Sequence, residues 1–154
     1  MTALSALIAE QPFFQGLRTE YLPLLAQCAT VEVAPMRQKI FEKGATADRF
    51  YLIVRGEVVV ETHFSPGVGI ATVQTLGAGQ GLGWSWFYPP HVWQFGASAV
   101  NETEMISFDG VLLRRVAEEN PAFGFDLAKR MGFMLAQRLE SVREQLLEGY
   151  RKKF

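Results

Sequence analysis

The chain has 154 residues, 49% hydrophobic and 20% charged, with 15 basic and 16 acidic side chains and a net charge of −1. Such a chain can bury one full core and carry one appended element, as a soluble globular domain does. Its balanced charge excludes a long-range electrostatic pull toward nucleic acid or anionic membranes. The single Cys28 cannot form an internal disulfide and suits a reducing interior. No apolar run approaches the roughly 20 residues that span a bilayer. "MTALSALIAEQPFF" lacks the basic and apolar regions of a signal peptide, so a cytoplasmic protein off the membrane is expected. His63 and His91 lie far apart without a metal-binding spacing, and neither a metal nor another cofactor is expected.

Leu4, Leu7 and Ile8 share one face of a short first helix that Pro12 stops, and "PFFQGL" reads as a compact apolar turn. Thr19 is expected to cap a second helix, with Leu22, Leu25 and Ala26 inward and Pro23 near its start. From Ala29 the period shortens to that of strands. "TVEVAP" places Val31 and Val33 inward against Glu32, and "KIFEKG" is a short strand ending at Gly44. "DRFYLIVRGEVVVETHF" reads as two strands divided at Arg55-Gly56-Glu57, with Gly44 and Gly56 at hairpin corners where a side chain would clash. "HFSPGVG" supplies a longer turn before the strand "IATVQTL". "GAGQGLG" then places four glycines in seven residues, more than a turn requires.

"GLGWSWFYPPHVWQF", Gly81 to Phe95, holds all three tryptophans and six of the nineteen aromatic residues, and no full charge. Its "YPPH" segment is expected to project as a rigid loop with His91 exposed. "FGASAV" and "EMISF" are the last two strands. Many short strands with glycine turns indicate an antiparallel barrel or sandwich. Asp109 is the expected N-cap of "DGVLLRRVAEEN", which buries Val111, Leu112, Leu113 and Val116 in some combination. Asn120-Pro121 ends that helix and opens a final one reaching about Glu148. On it Phe125, Gly132, Leu139 and Leu146 recur every seven residues, with Ala128, Leu135 and Val142 three positions on. Either packing on its own barrel or pairing between two chains meets this pattern. The stripe continues beyond Arg138, past the reach of a small barrel, and this favours a homodimer. "RKKF" is expected to be a solvated, frayed end. The predicted division is a sensor domain over residues 1–120 and a dimerisation helix with tail over 121–154.

Helices, a glycine-punctuated barrel and a long heptad helix, in that order, resemble the cyclic nucleotide-binding domain of the cyclic-AMP receptor protein/FNR superfamily. "PFFQGL" resembles the family's opening. "FEKGATADRFYLIVRGEVVV" carries its most specific signature, with Gly44, Asp48, Tyr51, Ile53, Gly56, Val58 and Val60 at the expected spacing. "LGAGQGLG" resembles the lead-in to its phosphate-binding cassette. The resemblance spans roughly residues 10–148. It implies a mainly β fold: an antiparallel double-stranded β-helix (jelly-roll barrel) with N-terminal helices and a long C-terminal dimerisation helix. It also implies a regulatory and non-catalytic role.

In that family a Gly-Glu pair opens a short helix facing the cyclic phosphate, the Glu takes the ribose hydroxyl, and an Arg followed by Ser or Thr and Ala pairs with the phosphate. Carried across, the glycine is Gly83, the Glu position is Trp84 and the following small-residue position is Trp86. The Arg position is Gln94, with Phe95 and Gly96 after it. Gln94 cannot balance a phosphate charge, so tight binding of cyclic AMP or cyclic GMP is not expected. Two readings of Gly83, Trp84, Ser85, Trp86, Gln94 and Phe95 stay open. The aromatics either fill the former pocket or line a site for a small molecule of low charge, helped by Ser85, Gln94 and backbone N–H groups at a helix start. A filled pocket implies a protein-interaction module whose partner meets the aromatic loop at Tyr88 or Trp93, or the long helix. A metal-dependent barrel enzyme is disfavoured by two isolated histidines. Regulators of the superfamily usually carry a winged helix-turn-helix after the long helix. Here six residues follow Glu148, so the expectation is a sensor part that by itself binds no nucleic acid.

Overall fold

The structure, a computed structural model, describes residues 2–63 and 69–153, with the backbone alone at His63. The centre of the "HFSPGVG" turn and the end of "RKKF" therefore lie outside the described residues. Helix α1 (Ala3–Ala9) is capped by Thr2, whose hydroxyl oxygen accepts from the Ser5 N–H at 3.0 Å. Pro12–Phe14 is a 3-10 turn, and a second, Thr19–Tyr21, runs into α2 (Leu22–Ala26). Thr19 thus begins a turn and caps nothing; Pro23 occupies the tolerated first turn of α2, and Leu22 and Leu25 are buried.

Eight strands follow among the described residues: β1 (Ala29–Ala34), β2 (Lys39–Phe41), β3 (Arg49–Arg55), β4 (Val58–His63), β5 (Ile70–Leu76), β6 (Gly81–Leu82), β7 (Gly96–Ala99) and β8 (Thr103–Asp109). They form two antiparallel four-stranded sheets, ordered β1-β8-β3-β6 and β2-β7-β4-β5. The expected jelly-roll barrel with flanking helices is the observed architecture. β3 shows how it separates two cores. Phe50 and Leu52 face the helices, while Tyr51 and Ile53 face the barrel interior with Val58, Leu76, Leu82, Ala97 and Met105. Alternation along a strand buried on both faces produces this division.

Several expectations are corrected. β3 and β4 belong to different sheets, so Arg55-Gly56-Glu57 is a corner between sheets and not a hairpin. Gly56 has φ +106, and a Cβ there would lie 2.6 Å from Thr103 Oγ1, so the expected clash holds. Gly44 has φ +91 and open space around it; backbone conformation alone requires glycine. Val31 and Val33 are not inward but 48% and 54% exposed, because β1 is an edge strand anchored by Ala29 and Ala34 at its ends.

Helix α3 (Gly110–Glu119) begins where Asp109 accepts from the Leu112 N–H at 3.1 Å, as expected. It buries Leu113 and Val116 while Val111 faces solvent. Helix α4 (Pro121–Lys153) extends past Glu148 to Lys153. It packs on the body through Phe123, Leu127, Met131 and Met134, in the same hydrophobic cluster as Phe50 and Phe108. Gly124 permits the close turn from α3, since a Cβ there would meet the Ala117 carbonyl at 2.5 Å. Arg130 then ties α4 to the "PFFQGL" turn, donating to the Phe13 and Gln15 carbonyls at 2.7 and 2.9 Å.

Candidate functional site

The glycine run threads the chain between the helix and the barrel. At Gly81 a Cβ would lie 2.7 Å from Met134 Sδ, so this strand position lets α4 approach closely. β6 pairs Tyr51 with Leu82 and Leu52 with Gly81, an element the sequence pattern did not suggest because it spans only two residues. Gly83 follows with φ +92, and a Cβ there would meet the Trp93 ring at 2.7 Å. The helix expected after Gly83 is absent. The segment folds as turns in which the Phe87 N–H donates to the Trp84 carbonyl at 3.1 Å. No helix N-terminus is therefore presented to an anion there.

Trp86 does not face the barrel. It is fully buried on the helix side, stacked on Phe50 with centroids 5.5 Å apart, and the Arg114 guanidinium donates to its carbonyl. Its bulk fills the core on the helix side, away from the other five of these residues. The remaining loop is fastened to residues 44–47: Gly44 and Ala47 N–H groups donate to the Trp93 and His91 carbonyls at 2.9 and 2.8 Å, and the Trp93 N–H donates to Ala45 at 2.9 Å. His91 is consequently half-buried, not freely exposed, and Trp93 is buried, stacked on Phe41 with centroids 3.7 Å apart. Trp93 is thus withdrawn from any protein partner, whereas Tyr88 is exposed.

The other five cassette residues surround a cavity of about 250 Å³. Gly83, Trp84, Ser85, Gln94 and Phe95 form one wall with Trp93 and Phe41; Val60, Val73 and Leu82 contribute barrel side chains. Leu135, Leu139 and Val142 of α4 complete it. The aromatics therefore leave a cavity beside them and do not fill it. Ser85 is buried, and its hydroxyl has no protein partner among the described residues. Gln94 is exposed and its side-chain amide donates to the Val92 carbonyl at 3.1 Å.

Arg138 also lines the cavity and was not singled out by sequence. Its guanidinium donates to the Gly81 carbonyl, and burial pushes its pKa down to about 10. The signal that could have found it is a second stripe on α4: Phe123, Leu127, Met131 and Met134 recur at helical spacing, and Arg138 is the next position on that line. A wider groove of about 680 Å³, lined by Asp126, Lys129, Arg130 and Phe133, adjoins Arg138 on its other side. Among the described residues no cluster of His, Cys, Asp and Glu could hold a metal ion, and no helix is long and apolar enough to cross a membrane.

The two-sheet barrel, the 81–95 segment and the C-terminal helix together border a cavity of about 250 Å³. The sequence profile of the cyclic nucleotide-binding domain matches residues 31–120, and the chain belongs to this family. Its structure is similar to a putative cyclic nucleotide-binding protein from Geobacter metallireducens GS-15, at 24% identity and TM-score 0.78, covering 90% of this chain and 99% of that one. It is also similar to a cyclic nucleotide-binding domain from Methylobacillus flagellatus KT, at 20% identity and TM-score 0.79 over 95% and 82% of the two chains. The catabolite activator protein of Thermus thermophilus aligns at 26% identity and TM-score 0.68, covering 88% of this chain and 61% of that one. No curated protein matches the chain significantly. The chain is thus a regulatory module of cyclic nucleotide-binding type, with a CRP/FNR-like fold.

Proposed function

We propose that this chain is a non-catalytic sensor that binds a small molecule other than cyclic AMP or cyclic GMP and reports occupancy through a homodimer helix pair in the cytoplasm. The observation that carries this reading is a shared surface on α4. Leu135, Leu139 and Val142 line the cavity, and the same three residues belong to the heptad seam. Among the described residues much of the seam faces solvent: Phe125, Leu139 and Leu146 are 66%, 71% and 61% exposed. Gly132 has open space around it, so a second backbone can approach. A second copy of this chain offers the matching heptad. Ligand in the cavity would press on Leu135, Leu139 and Val142 from one side while the partner helix packs on them from the other. Occupancy and dimer geometry are then two outcomes of one packing equilibrium.

Recognition of a cyclic nucleotide is disfavoured by the same geometry. Trp84 replaces the carboxylate for the ribose hydroxyl, Gln94 is bonded to its own backbone neighbour, and turns replace the helix start. Sedimentation of the chain across the micromolar range tests the dimeric half. A dimer is expected, with Leu139→Glu shifting it to monomer. A mass of 17.2 kDa throughout would overturn that half. For the sensing half, ligands that fill the cavity are expected to change tryptophan emission, because Trp84 and Trp93 form its wall.

A further inference from the structure

We propose that the ligand of this cavity is an acid: one anionic group on an aromatic or otherwise apolar body, with Arg138 as its counter-ion. This inference rests on the reading of the cavity as a ligand site and names the chemistry of what enters it. Arg138 meets the cavity without an opposite charge. Its guanidinium donates to the neutral Gly81 carbonyl, and no carboxylate among the described residues pairs with it. Asp126, the one carboxylate among the described residues that lines either recess, is already held by Arg130 at 2.8 Å. A guanidinium drawn out of water without a counter-charge is costly, and an incoming carboxylate removes that cost through charge-assisted hydrogen bonds. Burial lowers the Arg138 pKa, but only to about 10, so the group remains a cation at neutral pH.

The rest of the wall defines the body of the ligand. Phe41, Trp93, Leu82 and Val142 offer flat and branched apolar contact, and the Ser85 hydroxyl at the cavity wall can bond one further polar atom. A ligand with several hydroxyls or two charges would leave groups buried without partners. A cavity of about 250 Å³ limits the body to a small ring system.

The test is a matched series on two rings: phenylacetate, phenylacetamide and phenethylamine, and indole-3-acetate, indole-3-acetamide and tryptamine. Binding to the full chain is followed by ligand-observed NMR. Each acid should bind at least about tenfold tighter than its amide, with the amine weakest. Arg138→Gln, which retains a donor for the Gly81 carbonyl, should bring acid and amide to within about twofold. Arg138→Lys should keep a preference for the acid, and melting temperatures establish that both variants fold. Amides that bind as well as acids, or an acid preference that survives in Arg138→Gln, would overturn the inference while leaving the cavity a ligand site. If no member of the series binds, the inference and the sensing reading fall together.

Discussion

Gly83 is fixed by two constraints that act independently, a left-handed φ of +92 and the Trp93 ring 2.7 Å from where a Cβ would stand. Gly83→Ala should therefore lower stability by about 1–3 kcal/mol from backbone strain alone, measured by urea denaturation, and displace Trp93 from Phe41. An unchanged midpoint would show that the turn relaxes freely. Cys28 illustrates a residue whose chemistry is suppressed by its place. Burial first, and Asp109 second, push its thiol up to about 11. Roughly one molecule in a thousand then carries the thiolate at pH 8, so native Cys28 should resist Ellman's reagent and react fully only on unfolding. Tyr51 is raised to about 12, chiefly by burial and then by Glu32. The folded state prefers the neutral phenol, so its contribution to stability is intact below pH 10 and declines as pH rises from there through about 12. An ultraviolet titration should show Tyr51 ionising only as pH approaches about 12. At this scale Gly83 was legible because glycine runs flag unusual backbone. Trp86 and Trp93 were not, since residue type alone does not say which side of the sheet a tryptophan takes.

Helix α4 carries two apolar stripes on different faces, and they do different work. Phe123, Leu127, Met131 and Met134 hold it on the body; Phe125, Leu139 and Leu146 remain exposed. Leu127→Ala should cost about 2–5 kcal/mol in unfolding free energy. Leu146→Ala should leave monomer stability within about 0.5 kcal/mol and weaken only self-association. Equal effects of the two substitutions on unfolding would remove the distinction. The heptad seam was readable from spacing, because residues seven apart share a face. The packing stripe was hidden behind it: its residues follow the same helical period, and one sequence cannot say which face meets the barrel. Strand β1 failed for a related reason. Alternating valines mark two faces of a strand but not whether it lies at a sheet edge, where both can meet water.

At the scale of the whole molecule, the chain keeps the family architecture, and the proposal is that the chemistry of its ligand site differs. Spacing of turn glycines and strand residues made the barrel legible, since those positions are set by backbone geometry and survive a change of ligand. The cavity was legible only in part. Five of the six candidate residues line it, but the rest of its wall comes from earlier barrel strands and from α4, about forty to sixty residues later in the chain, which brings in the Arg138 guanidinium. Local pattern cannot place such distant segments together. Arg138 restores a cation that Gln94 lacks, yet nothing restores a carboxylate for ribose, and the surrounding wall is largely apolar. The central claim is therefore a retained fold with an altered ligand. Its most direct test is thermal unfolding with and without cyclic AMP and cyclic GMP at millimolar concentration. A ligand present at about a thousand times its dissociation constant stabilises the folded state by about 4 kcal/mol. No change in melting temperature is predicted for either nucleotide. A rise of several degrees with one of them would contradict the account and return this cavity to cyclic nucleotide recognition.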